Sequence, residues 1–188
     1  KPREVATVYQ QNREEVGWDE ISDHAKNALT SGEDRRFYEH GGVDMPSLVR
    51  AALGQVTGDD GAGGASTLSM QTVRNILQQQ ALNNDSFSEE KKQEEIAKAL
   101  DPTLDRKIKE MKLAIGLEKN YTKDEILQGY LNIAGFGGNT YGVQAAANQY
   151  FSVDASEVTI VQAASLIAIV QYPNLRDLSD PEHYAANQ

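Results

Sequence analysis

Gly32-Glu33-Asp34-Arg35-Arg36-Phe37-Tyr38-Glu39-His40-Gly41-Gly42 packs two adjacent carboxylates, two guanidiniums, two aromatic rings and a histidine into a few positions, then stops on two glycines. Amphipathic helical patterns flank it, Ile21 to Thr30 before and Val43-Asp44-Met45-Pro46 to about Gln55 after. The charged cluster therefore sits at a helix–loop–helix junction, where side chains can converge without burial. An acid beside an acid raises the proton affinity of one of them, and an apolar ring nearby strengthens the effect by desolvation. That is how a carboxylate becomes useful as a base near neutral pH. A solvated, salt-bridged junction accounts for the same residues equally well.

Composition narrows the classes. The chain has 188 residues, enough for one domain with a real core or one domain in two lobes. Its net charge of −10 argues against a general nucleic-acid binder. Without cysteine there is no disulfide scaffold, thiol enzyme or Cys-based zinc site. The three histidines, His24, His40 and His183, are too widely spaced for a His-rich metal centre. No signal peptide and no run of about 18 apolar residues appears. Lys1 at the start suits an excised or processed piece, with any membrane anchor lying outside it.

The rest of the chain reads as mainly helical, with no βαβ alternation and no repeat. Lys1 to Gly17 suggests a short extended lead-in, and residues 57–64 a mobile glycine-rich loop. Ser66 and Thr67 are natural N-caps for a helix running to about Gln80. The polar segment 83–100 predicts a solvated helix or flexible flap. Asp101-Pro102 predicts a helix start, with the helix reaching Glu118. Thr122 to Glu125 is a capping box opening a helix from Ile126 to Asn132. A turn over 135–139, an alanine-rich helix over Tyr141 to Phe151 and an apolar helix over Val158 to Val170 follow. That last helix is too short to span a bilayer, and the tail beyond Tyr172 reads as irregular.

Two further constellations carry chemistry. Arg106, Lys107 and Glu110 share a helix face by their spacing, with Lys109 on a neighbouring face. A local positive patch in an acidic protein points to an anionic ligand, although ordinary surface pairing explains it too. Gly63-Gly64-Ala65-Ser66-Thr67 leads into a capped helix whose N–H groups favour phosphate, with Arg74 one turn along. It is not a P-loop, since no Gly-Lys-Ser/Thr follows. Together these features suggest transfer chemistry on a phosphorylated donor with Glu33 as base. They do not name a sugar.

Glu33 to Gly42 resembles the first signature of the family 51 peptidoglycan glycosyltransferases, found in class A penicillin-binding proteins and as monofunctional enzymes. Gly64 to Gln71 with Arg74-Asn75 resembles their second motif, and Arg106 to Glu110 with Glu125-Ile126-Leu127 and Tyr130-Leu131-Asn132 the third. Tyr141 through Phe151 resembles the fourth and Val161 to Leu166 the fifth, all in family order. The resemblance implies a single transferase domain over 1–188, with a lysozyme-like helical lobe and a smaller, mobile, membrane-facing lobe. It implies lipid II as substrate, the growing glycan strand as donor, and work at the outer face of the bacterial cytoplasmic membrane. It also implies a transpeptidase domain elsewhere in the full-length protein.

Carried over by position, the resemblance makes Glu33 the general base and Glu110 the second acid, which helps place the donor pyrophosphate directly or through a divalent cation, Mg or Mn. It assigns substrate binding to Asp34, Phe37, His40, Ser66, Thr67, Gln71, Arg74, Arg106, Lys107 and Lys109. Three positions depart from the family pattern: Met70 where a glutamine is usual, Ser152-Val153 after Phe151, and Gln162 where an acid is usual. The first departure predicts an altered polar contact to donor, the last an altered structural hydrogen bond. A lysozyme-like hydrolase would have no use for the cationic helix at 106–112. A non-catalytic precursor-binding domain would not need both acids.

Overall fold

The computed structural model describes residues 12–58 and 64–171, the side chain of Gln55 excepted. Most of the expected lead-in (1–11), the heart of the glycine-rich loop (59–63) and the tail from 172 lie outside the described residues. The fold is mainly α, as the periodicity predicts. The chain divides into two compact units, Leu29–Tyr130 and the pair of segments Lys1–Ala28 and Leu131–Gln188. The single domain expected over 1–188 thus has two parts, and the divide falls inside helices α1 (Asp23–Glu33) and α6 (Lys123–Ile133).

The unit Leu29–Tyr130 holds the charged constellations. Helix α1 runs three residues past the expected end at Thr30, because the Asp34 N–H still donates to the Thr30 carbonyl at 3.0 Å. Glu33 is consequently the last residue of a helix, held by its backbone, and not a loop residue. Helix α2 (Met45–Thr57) starts with Asp44 at the N-cap and Pro46 in the first turn, and stops on Gly58 in the left-handed region. Helix α3 (Leu68–Leu82) is capped by Thr67, whose hydroxyl accepts from the Met70 N–H at 3.2 Å. Ser66, the other expected cap, is not used in that way.

Residues 83–100 form a turn and then helix α4 (Glu89–Leu100), capped by Ser88. Glu89 and Glu90 in its first turn and Lys98 in its last suit the helix dipole. Helix α5 (Leu104–Asn120) does not start at Asp101-Pro102. Thr103 caps it, accepting from the Arg106 N–H, while the Asp101 carbonyl takes the Arg106 side chain instead. Two cap-type residues compete within three positions, and the one with the hydroxyl at the right distance wins. The expected box at Thr122 and Glu125 is present in both directions, at 2.7 Å and 3.3 Å. Met70, Val73 and Ala114 form the buried seam between α3 and α5, flanked by Leu77, Met111 and Leu117. Met70, wholly buried, fills core in that seam.

The other unit is built on α7 (Val143–Phe151) and α8 (Ile160–Gln171). Strand β1 (Asn12–Arg13) pairs in parallel with β2 (Thr140–Tyr141), so residue 141 is strand and not the expected start of a helix. Asn132 ties this pair in by exchanging two hydrogen bonds with the Val16 backbone, at 3.0 Å and 2.9 Å. Gln162 makes the capping bond for α8: its side-chain oxygen accepts from the Thr159 N–H at 2.9 Å. The neutral amide does here what a carboxylate would do.

Candidate active site

The two adjacent acids turn to different partners. Asp34 is buried, and its Oδ2 accepts from His40 Nε2 at 2.9 Å and from the Leu68 N–H at 3.0 Å. That carboxylate clamps the loop onto the N-terminus of α3, where a helix dipole favours negative charge. Thr67 adds a second tie by donating to the Gly42 carbonyl at 2.7 Å. Gly42 is required there: its φ is +89° and a Cβ would lie 2.7 Å from the Ala114 carbonyl carbon. Phe37 is fully buried and His40 nearly so, while Lys123 lies 4.4 Å above the Phe37 ring and pairs with Glu118 at 2.8 Å. Asp34, Phe37, His40 and Thr67 thus hold the site together from within. The expectation that this cluster converges without burial holds for Arg35, Arg36, Tyr38 and Glu39 alone.

Glu33 points elsewhere. Its Oε2 accepts from Gln71 Nε2 at 2.9 Å, and its Oε1 is buried without a hydrogen-bond partner among the described residues. Glu33 lines a cavity of about 730 Å³ with Arg35, Arg36, Arg50, Ser66, the helical Gly32 and the loop residue Gly64 among its walls. Asp44, which also lines the cavity, is held below the ordinary carboxylate value by its bond from Ser47, against the opposing effect of burial and with the charges of Arg36 and His40 adding to it.

Glu110 is buried, and Arg74 grips it bidentately, Nε to Oε1 at 2.8 Å and Nη2 to Oε2 at 3.1 Å. Arg106, one turn back on α5, bonds the same Oε1. Lys107 does not join them in contact, as the shared face predicted, but reaches Ser66 at the edge of the Glu33 cavity. Burial pushes its ammonium below the ordinary lysine value, and Arg74 and Arg106 push the same way against the opposing charge of Glu110. Two guanidiniums thus hold one carboxylate with a third cation, Lys107, close by, which leaves a net positive site suited to phosphate oxygens. Lys109 is exposed and lines a second cavity of about 320 Å³ with Arg106, Glu110 and Lys98 of α4.

A family model described as Transglycosylase matches the chain over residues 1–188. The chain belongs to the transglycosylase family. It is 36% identical over 171 residues to penicillin-binding protein 1F of Bacillus subtilis, covering 91% of this chain and 21% of that protein. It is 39% identical over 172 residues to penicillin-binding protein 1A/1B of the same species, covering 91% of this chain and 17% of the relative. A biosynthetic peptidoglycan transglycosylase of a Marinomonas species is 37% identical over 169 residues, 90% of this chain and 66% of that protein. The chain spans about a fifth of the length of the penicillin-binding relatives.

Family membership invites a test of the divalent cation. Both Glu110 oxygens are taken by guanidiniums, and a cation there would face two positive groups. Among the described residues no group of three or more His, Cys, Asp or Glu is placed to hold a metal. The protein side of this site therefore does not fit a metal on Glu110.

Four side chains contribute to which sequence reading gave no role. Arg50 joins the Glu33 cavity from α2, Glu118 and Lys123 back up His40 and Phe37, and the Tyr130 hydroxyl donates to Gln71 Oε1 at 3.1 Å. Arg50, the one cation among the apolar residues of α2, was a visible signal. Tyr130 stands in the third motif without an assigned contact, and nothing local marks Glu118 or Lys123.

Proposed function

We propose that this chain polymerises lipid II into β-1,4-linked glycan strands, releasing the lipid pyrophosphate carrier with inversion at the donor anomeric carbon. The observation that carries this reading is the state of Glu33: one oxygen is held by Gln71, the other is buried without a hydrogen-bond partner among the described residues, and the residue lines a cavity that Arg35, Arg36 and Arg50 also line. An unpaired carboxylate oxygen in such a place is a proton acceptor in waiting. Glu33 Oε1 takes the proton of the acceptor 4-hydroxyl as that oxygen forms its bond to the donor anomeric carbon. The bond from that carbon to the pyrophosphate oxygen breaks, and the electron pair leaves with the phosphate. Lys107, Arg74 and Arg106 stabilise the departing charge, so no acid is needed to protonate it. Glu110 contributes by fixing the two guanidiniums.

Membrane association is part of the proposal. Met45, Val49, Leu53 and Val56 form an exposed apolar stripe along α2, beside a cavity that would take the polar end of a lipid-linked substrate. No helix among the described residues is long and apolar enough to cross a bilayer. We place the enzyme at the outer face of the cytoplasmic membrane, in a longer protein that also carries a transpeptidase domain, in keeping with the penicillin-binding relatives.

The test is glycan formation from labelled lipid II in detergent, unsubstituted protein beside Glu33→Gln. Polymer from the first and none from the second is expected. Polymer from both removes Glu33 as base, and cleavage of finished peptidoglycan would replace the transferase with a hydrolase.

A further inference from the structure

We infer that Tyr130 is a positioning residue for the base: it fixes the Gln71 side-chain amide so that Gln71 donates to Glu33 Oε2 and Oε1 is left to receive the substrate proton. The inference rests on the reading of Glu33 given above.

The geometry is a two-bond relay across three elements. The Tyr130 hydroxyl on α6 donates to Gln71 Oε1 on α3 at 3.1 Å, and Gln71 Nε2 donates to Glu33 Oε2 at the end of α1 at 2.9 Å. A primary amide is planar, so holding its oxygen also holds its nitrogen. Two orientations of that amide fill the same space. In the observed one, both contacts pair a donor with an acceptor. In the flipped one, the amide oxygen would face a carboxylate, which can only accept, and the phenol would lose the acceptor for its proton. Leaving a phenol proton unmet in a buried place is costly, and Tyr130 is 1% exposed. Burial, with the Glu33 charge adding to it, also holds the phenol above its ordinary value, so the group stays protonated and a donor. Tyr130 therefore discriminates between the two orientations, and Glu33 alone would do so less strongly.

The consequence is selection between two carboxylate oxygens. A mobile Gln71 amide could donate to either oxygen or to neither, and the carboxylate could swing with it. With the amide locked, Oε2 is occupied from the protein side and Oε1, buried and without a partner among the described residues, is the atom presented to the acceptor hydroxyl. A base held in one geometry accelerates proton transfer in the transition state without strengthening ground-state binding, so the effect belongs in kcat.

The experiment compares the unsubstituted chain with Tyr130→Phe, Gln71→Leu and the double variant on labelled lipid II, at a temperature where circular dichroism shows all four folded. Tyr130→Phe should lower kcat about tenfold while leaving KM nearly unchanged. Gln71→Leu should lower kcat at least as much, and the double variant should be no slower than Gln71→Leu, because Tyr130 acts through that amide. Losses that multiply instead overturn the inference in favour of a packing role. A second readout needs no turnover: the Gln71 side-chain amide protons should exchange slowly in the unsubstituted protein and fast in Tyr130→Phe, and equal exchange in both overturns it. Should Tyr130→Phe fail to fold, the Tyr130 hydroxyl proton in the unsubstituted protein decides, since a donor with a fixed acceptor gives a slowly exchanging resonance and its absence sinks the relay. Glu33→Gln separates the two layers: if it is fully active, the base assignment and this inference both fall; if it is inert while Tyr130→Phe keeps full kcat, this inference alone falls.

Discussion

Arg74 and Glu110 meet in a parallel two-bond fork, Nε to Oε1 at 2.8 Å and Nη2 to Oε2 at 3.1 Å, joining α3 to α5 across 36 residues of sequence. The fork uses both oxygens of a buried carboxylate, and Arg106 shares one of them. Glu110 is thus an anchor for two guanidiniums, which it joins from two helices.

Replacing Glu110 by glutamine tests that anchor. The amide keeps the shape but leaves two guanidiniums without their counter-charge. Arg74 and Arg106 side chains retain 24% and 17% exposure, so solvent screens part of the repulsion. The expected cost is about 2 kcal/mol, or a Tm lower by roughly 6 °C in calorimetry. An unchanged Tm would mean that the pair contributes nothing to the fold.

Lys107 sets an alkaline limit. Its ammonium lies below the ordinary lysine value, chiefly through burial, so the charge is lost as pH rises through that lowered value. The KM for lipid II should therefore climb on the alkaline side earlier than an ordinary lysine would allow. Lys107→Arg should keep KM flat over the same range, because a guanidinium stays charged. For stability the sign is reversed: between the lowered and the ordinary value the unfolded chain binds more protons, so the destabilising effect of this buried charge fades as pH rises.

Neighbouring glycines should differ sharply. Gly42→Ala forces a side chain onto a φ of +89° and against the Ala114 backbone, and is expected to cost about 3 kcal/mol or more in urea unfolding. Gly41→Ala, with nothing within 4 Å of its Cβ position, should stay within about 0.5 kcal/mol. Equal effects would remove the close approach of this loop to α5 as a constraint.

The start of α8 offers a test on the other unit. Gln162→Ala removes the acceptor for the Thr159 N–H and hydroxyl and should lower stability by about 1 kcal/mol. Gln162→Glu should retain it, since either side chain presents an oxygen at that position.

Some of this protein was legible in its sequence because the controlling bonds span one helical turn. Thr67 and the Thr122–Glu125 box could be placed from residue type and spacing, as could the helical faces and the absence of a sheet core. The same locality produced errors where two candidates stood close together: Thr103 caps α5 in place of Asp101, and Ser66 gave way to Thr67. Helix ends drifted for a related reason. Gly32 looks like a stop, yet α1 passes through it to Glu33, because the Asp34 N–H still donates to the Thr30 carbonyl while its side chain is held from α3.

The chain by itself determined which residue types were available, which helices they ride on, and the family. Tertiary structure decided what each one touches. Asp34 reaches Leu68 across 34 residues, Gln71 reaches Glu33 across 38, Lys107 reaches Ser66 across 41 and Tyr130 reaches Gln71 across 59. Spacing along a helix is fixed by 3.6 residues per turn and can be read from a string of letters. Contacts between helices depend on how buried faces such as the Met70–Val73–Ala114 seam settle against each other, and that packing fixes which oxygen of Glu33 stays unpaired.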